Sequence, residues 1–571
     1  MREWAVSNEQ DAMRLLFKAA APSQHPAGPA RPPSLTAVVG SRPQHDVSDA
    51  LRVWNACRFV RMGWFTAQEA MSLVEWFFAY LNPLSPVLTD FYGTLTNQFW
   101  LVTQEPFLCC TILLLASRYY HLPGRTGASR SSFIHHRLSQ HCQHLLLRVM
   151  LGQEKFSKAK TRTVGTIEAL LLLCEWYPKS LHFPPESDGW DSDLIMTNAD
   201  LRDPPLIHED EPSVSMQWQQ EVVEPTKRLE RMSWMILSAA VALAHELGVF
   251  DRRTAAKPIE KPSRPDSRIY QEHLEVRYTR IPSLLLVFSN MAAARIGCDS
   301  LVSWDDGQWR TAMALWVDLM QISKSITDRQ FSSIRENADI TSPELLLEAK
   351  RQELSGWRLR HLEAGETVDH RTFDDILFIE YQHVSIILNS LGMQEQLNCP
   401  SPPETIPTLC AYTDAVIDRC KQTLDRISSL SQSGLTRYMP VRVFFRTVSA
   451  SIFLLKALAL GAPCTRLQSA LATLETAIAL LQELLVEDEL HLGGRYATLL
   501  GVVVSRLRKS LFDGLSVGNV SHAAVDFFDD DRWLSLPFET SMAPFGSFVG
   551  DMGLVPDSID TDLDFLWNLP P

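Results

Sequence analysis

The 571-residue chain contains no Gly-rich phosphate loop, no dinucleotide fingerprint and no Gly-x-Ser-x-Gly elbow. The backbone cradles and strained nucleophile turns that nucleotide enzymes and serine hydrolases depend on therefore have no basis in it. His245-Glu246 opens the pattern of a zinc hydrolase, but Gly248 and Val249 follow and no second histidine stands four residues on. Two imidazoles on one helix face are what such a metal needs, so His245 reads as a helix-end histidine near the last carbonyls. His135, His136, His141 and His144 fall close together, yet Cys142 is the one neighbouring thiol or carboxylate, which leaves a ligand set incomplete. Paired acids such as Asp305-Asp306 and Asp529-Asp530-Asp531 read as solvated charge. No catalytic and no metal residue is assigned, and the chain is not expected to be an enzyme; an enzyme on this sequence would need a buried cluster of ionisable groups.

Other absences bound the environment. Apolar runs fall short of the roughly 18 uncharged residues of a membrane span. Arg2, Glu3, Glu9 and Asp11 interrupt the first sixteen residues, unlike a secretory signal, so no membrane and a soluble, intracellular setting are expected. Ten cysteines are scattered, mostly in apolar stretches such as 107–115, and read as buried thiols. Lys and Arg nowhere cluster densely enough to neutralise a run of phosphates. The formal charge of −14 is uneven: residues 513–571 carry eleven acids against Arg532 alone, leaving the other 512 residues near −4.

With 46% apolar and 21% charged residues, most of the chain is expected to fold. Met13, Leu16, Phe17 and Ala20 suit one face of a short helix, and six prolines in 22–46 mark a linker. Helical periodicity then holds to about residue 512. Leu377, Tyr381, Val384, Leu388 and Leu391 are spaced 4, 3, 4, 3, and Gly392 is expected to stop that helix. Val441, Phe445, Val448, Ile452, Leu455 and Ala459 form a second stripe between Pro440 and Gly461. Ile236, Ala240, Leu243 and Leu247 form a third, closed by Gly248. Leu467, Leu471, Leu474, Ile478, Leu481 and Leu485 keep heptad spacing, but Leu480 and Leu484 widen the face toward that of a bundle helix. Stretches 183–225, 252–270 and 398–408 look like surface excursions, and the short β-branched run 501–504 does not amount to a sheet. The fold class is all-α: a short helix and Pro-rich linker (1–47), a large multi-helix regulatory body (48–512) and an acidic-aromatic tail (513–571).

The tail carries the candidate functional residues. Asp560, Asp562 and Asp564 interleave with Leu563, Phe565, Leu566 and Trp567, and Phe527-Phe528 precede three aspartates. Acids that keep aromatics in water leave them free to enter a partner's groove as a short helix, which is the physics of a disordered activation segment. The same apolar residues could instead anchor the tail on the body, and the residues alone leave both readings open.

Residues 77–88 (FFAYLNPLSPVL), 162–185 (RTVGTIEALLLLCEWYPKSLHFPP) and 240–250 (AVALAHELGVF) resemble the fungal transcription factors that carry a helical middle homology region behind a binuclear zinc cluster. Ile379-Glu380-Tyr381-Gln382-His383, residues 389–393 and residues 438–461 are similar to the branch that includes activators of aromatic amino-acid catabolism. The resemblance implies a nuclear regulator of a metabolic pathway or gene cluster, whose helical middle region restrains or releases the activator. It implies transcription machinery or a coactivator as the tail's partner, and homo- or heterodimers. The Cys-x2-Cys-x6-Cys halves of the zinc cluster do not occur here, so no cofactor is expected in this chain. Zinc and DNA contact are expected through a cluster encoded upstream or through a partner factor. A protein that titrates or tethers a full-length relative is the alternative.

Overall fold

The computed structural model describes residues 44–153, 161–183, 224–250, 266–296, 300–301, 313–335, 343–360, 371–398, 406–459, 464–498, 500–501 and 504–505. The first 48 residues form a unit apart from Asp49–Pro571, and the architecture below is that of the second. Helices α1 Gln44–Ala56, α2 Arg58–Arg61, α3 Ala67–Tyr80, α4 Gln98–Gln104, α5 Pro106–Tyr119, α6 Gly127–Met150 and α7 Val164–Glu175 come first. Then follow α8 Glu224–Glu246, α9 Asp266–Ile296, α10 Met313–Arg335, α11 Pro343–Arg358, α12 Arg371–Asn398, α13 Ile406–Gln432, α14 Val441–Ala459, α15 Cys464–Gln482 and α16 Leu484–Glu487. Among the described residues there is no strand, as the all-α expectation required. The predicted N-terminal helix and linker to residue 43, and the whole tail, lie outside the described residues.

Local chemistry explains the ends. Thr66 caps α3 with a reciprocal box: its hydroxyl accepts from the Glu69 amide at 3.2 Å, and the Glu69 carboxylate accepts from the Thr66 amide at 2.7 Å. Pro106 opens α5, where the missing N–H costs nothing. Gly248 closes α8 at φ +66°, with Val249 N–H on the Ala244 carbonyl and Gly248 N–H on that of His245, the paired bonds of a Schellman turn. The expected stop is therefore the observed one, and His245 sits in that last turn against the Phe250 ring, centroids 4.6 Å apart.

The three predicted stripes are core: Leu377, Tyr381, Val384 and Leu388 on α12, Val441, Phe445 and Val448 on α14, and Ile236, Ala240 and Leu243 on α8 are buried. The heptad-spaced segment ends as a helix at Gln482, packs on α13 and buries Ala470, Leu471, Leu474, Ala477, Ile478 and Leu481, a face as wide as a bundle helix presents. The supposed excursions are partly helical: 266–270 opens α9, 398 closes α12 and 406–408 opens α13.

Gly392 does not stop α12, which runs on to Asn398. Its role is space. A Cβ there would lie 2.4 Å from Cε1 of Tyr412 on α13, so the missing side chain lets the two helices close on that ring. Gly392→Ala gains about 1 kcal/mol of helix propensity but forces an overpacking that costs about 1–3 kcal/mol. The expected result is a lower denaturation midpoint, with the loss recovered when Tyr412→Leu is added; a double-mutant cycle in urea checks both.

Candidate regulatory site

Helix α7 is apolar on every side. Ile167, Ala169 and Leu170 to Leu173 are buried, a burial worth roughly 10 kcal/mol as an upper bound. Glu168 and Glu175 are also buried there, two turns apart on one stripe. Carboxylates in such a setting must be paired, and each receives an arginine from a different helix.

Arg277 of α9 meets Glu168 with two N–H groups, Nε to Oε1 at 3.0 Å and Nη2 to Oε2 at 2.7 Å. Its Nη1 donates to the Tyr92 hydroxyl at 2.9 Å and to Glu105 Oε1 at 2.5 Å. Glu105 also accepts from Tyr270 at 3.1 Å and from Thr163 at 2.7 Å. The Thr163 hydroxyl, in turn, accepts from the Thr166 amide and caps α7. Gly165 makes room, since a Cβ would stand 2.1 Å from Glu105 Oε2. Stacked rings cover the cluster: Trp100 on Tyr270 at 4.6 Å, and Phe91 on His273 at 3.8 Å. Burial acts to lower the Arg277 pKa, but Glu168 and Glu105 more than offset it and hold the guanidinium charged. Burial raises the Glu168 pKa, with Arg277 opposing.

The second cluster joins α7, α12 and α14. Arg442 is paired with Glu175 and stands 3.5 Å from Glu380 Oε1; Arg446, one turn on, donates to Glu380 Oε2 at 2.9 Å. The Arg442 guanidinium lies over the Trp316 ring at 4.8 Å and reaches the Leu84 carbonyl at 3.4 Å. Two small cavities adjoin this cluster and share Met291 and Arg446 as walls. One of about 30 Å³ is bounded by Glu175, Ser233, Phe288 and Arg442. The other, of about 20 Å³, is bounded by Met320, Thr327 and His383. Ser233 Oγ and His383 Nδ1, both buried, have no hydrogen-bond partner among the described residues. Each cavity has room for a water-sized guest; a metabolite would need the helices to part.

The first cluster consumes its polar groups on one another, and neither cavity reaches it. It is a joint rather than a reaction centre. The histidines are likewise structural. His135 Nδ1 lies 3.0 Å from the Leu114 carbonyl and its Nε2 accepts from the Lys179 amide at 3.3 Å, which makes the Nδ1–H tautomer the fitting one. His141 packs edge-on against Phe59 and Trp64. Among the described residues no three His, Cys, Asp or Glu side chains converge as a metal site. Cys109, Cys110 and Cys420 are buried inside helices, so these residues do not fit a binuclear zinc cluster. Asp560, Asp562, Leu563, Asp564, Phe565, Leu566 and Trp567 lie outside the described residues.

Glu168, Glu175, Arg277, Arg442 and Arg446 are not among the candidate residues that the sequence pattern singles out. The signal was present in VGTIEALLLLCE: two acids seven apart inside an apolar helix require buried cations elsewhere.

No family model matches the chain. A curated relative, Transcription factor hmgR of Aspergillus fumigatus, is 40% identical over 598 residues, covering 92% of this chain and 79% of that protein. The chain belongs to that family of fungal transcription factors, not to an enzyme family.

Two measurements test the site. Arg277→Met leaves Glu105 and Glu168 buried without their cation, a loss of about 3–5 kcal/mol, to be read as a fall in the urea midpoint; a near-neutral change would mean that water reaches the cluster. The buried histidines set a pH dependence. Burial first, then neighbouring arginines, lowers His135, His273 and the half-buried His182 to about 3 and His491 to about 4, while burial, then His144 and two arginines, lowers the half-buried His141 to about 4. The unfolded chain binds their protons near pH 6.5 and the folded chain does not, so the stability they permit is complete above 6.5 and lost as pH falls toward 4. Each fully buried one contributes up to about 1.4 kcal/mol per pH unit in that window. Denaturation at pH 7 and pH 5 should differ by at least about 2 kcal/mol, and a flat profile would show the imidazoles solvated in the folded protein.

Proposed function

We propose that the protein is a nuclear regulator of a metabolic pathway or gene cluster, in which residues 48–512 are the regulatory body and residues 513–571 the activation segment. The observation that carries this reading is the 40% identity to a transcription factor across 92% of the chain. The segments 379–383, 389–393 and 438–461, similar to activators of aromatic amino-acid catabolism, favour that branch of chemistry for the regulated genes. Two of the segments hold site residues: Glu380 lies in 379–383, and Arg442 and Arg446 lie in 438–461.

A body of helices joined by buried ion pairs suits regulation, because such joints are satisfied in one packing or another and not in between. An acidic segment with Phe565, Leu566 and Trp567 suits recruitment of the transcription machinery or a coactivator. DNA is reached through a zinc cluster encoded upstream of this sequence or through a partner factor. Sequencing the transcript's 5′ end separates the two, since the first requires an exon with the Cys-x2-Cys-x6-Cys pattern.

Residues 513–571 fused to a heterologous DNA-binding module should activate a reporter, with output falling several-fold in Phe565→Ala/Trp567→Ala. Deleting the gene should change transcripts of a metabolic cluster. A silent fusion together with an unchanged transcriptome would sink the reading.

A further inference from the structure

Helix α6 holds 24 residues without one acid, and α2, packed beside its C-terminal half, reads Arg-Phe-Val-Arg. Aromatic packing joins the two: Phe59 stacks on Trp64 at 5.0 Å, and both meet His141 of α6 edge-on. Among the described residues, the charges that act on His141 at that joint are all of one sign. His141 feels Arg58, His144 and Arg148, each acting against its protonation. Arg58, Arg61 and His144 are exposed and Arg148 is half-buried. Two acids of neighbouring segments are already engaged, Glu69 with Arg130 of α6 and Glu246 with Arg162.

Beside these cations lie large apolar side chains in water: Met62 is 53% exposed, Leu147 54% and Leu151 63%. On the helix, His141, His144, Arg148 and Leu151 follow at spacings of 3, 4 and 3, with Leu147 alongside, so charge and apolar surface share one face. Cations bordering exposed apolar groups are the complement of a segment in which aspartates border large apolar residues.

We propose that this α2–α6 face is the docking site of the chain's own acidic-aromatic segment 560–567. Asp560, Asp562 and Asp564 match Arg58, Arg61 and Arg148 in sign and number, and Phe565, Leu566 and Trp567 match the exposed Met62, Leu147 and Leu151 in character. The tether is sufficient: the 54 residues between Ser505 and Asp560 extend to as much as roughly 180 Å. Covalent attachment makes the encounter intramolecular, so contacts too weak to hold a free peptide suffice. Docking there hides the residues that the proposed activation segment presents to a coactivator. The docking rests on the division into body and tail proposed above; it does not require the tail to activate transcription.

The experiment uses the full chain with p-benzoylphenylalanine in place of Phe565, irradiated and mapped by mass spectrometry. The expected result is an intramolecular cross-link to residues 58–64 or 141–151, its yield falling roughly tenfold in Arg58→Glu/Arg148→Glu as attraction turns to repulsion, and falling with added salt. If that variant misfolds, as circular dichroism would show, Asp560→Lys/Asp562→Lys/Asp564→Lys makes the same test from the tail. Cross-links that map elsewhere, that join two chains, or that survive charge reversal overturn the proposal. So does a charge-reversed chain that loses a labelled DNA duplex while its cross-link persists, which would make the face a phosphate-binding one. A silent tail fusion with the cross-link present would instead overturn the activation reading and leave the docking site standing.

Discussion

The buried carboxylates of α7 constrain the rest of the body. Glu168 and Glu175 sit in a helix that leucine would fill at lower cost, because removing an ionised carboxylate from water costs several kcal/mol that a single partner barely offsets. Once they are there, two neighbouring helices are committed. Helix α9 must bring Arg277 to Glu168 and Glu105, and α14 must bring Arg442 to Glu175 while Arg446 reaches Glu380 on α12. A helix slipped by one residue keeps much of its apolar burial, but it leaves a charge without a partner. Apolar packing therefore supplies the favourable free energy, and the ion pairs select the register.

The consequence for regulation is discreteness. A core of methyl groups tolerates small slides, whereas a guanidinium held by two carboxylates and a tyrosine hydroxyl has nowhere nearby to go. The cavities beside Arg446 mark the looser region. There the Ser233 hydroxyl and His383 Nδ1 lack partners among the described residues, and the Arg442–Glu380 contact is, at 3.5 Å, the longest of the two clusters' ion pairs. The Arg277 joint is saturated and the Arg442 joint is not, so a change of packing is easier across α12 and α14 than across α7 and α9.

How much of this was legible differs by residue. Periodicity alone located the cores of α8, α12 and α14, because a stripe at 3.6 spacing has one geometric solution. Gly248 was readable as a cap since nothing beyond its own turn decides its conformation. Gly392 was not: the same residue type at the end of an equally regular stripe serves the ring of Tyr412, and no local pattern reveals a neighbour twenty residues away. The ion-pair partners were hidden for the same reason, as 109 residues separate Arg277 from Glu168 and 267 separate Arg442 from Glu175. What could be read was the demand, two acids in an apolar helix, and not the supplier.

The same kinds of charge behave differently by depth. Inside, the pairs face little screening, so they hold register at any physiological ionic strength. On α2 and α6 the arginines face water, where each contact is worth about 1 kcal/mol at most and salt weakens it. A contact of that size cannot define a fold, yet it can be made and broken by a competitor of modest affinity. For the docking proposed above, a near-neutral stretch 1–512 and an acidic stretch 513–571 supply the charge contrast that a reversible restraint requires: rigid where charge is buried, exchangeable where it is exposed.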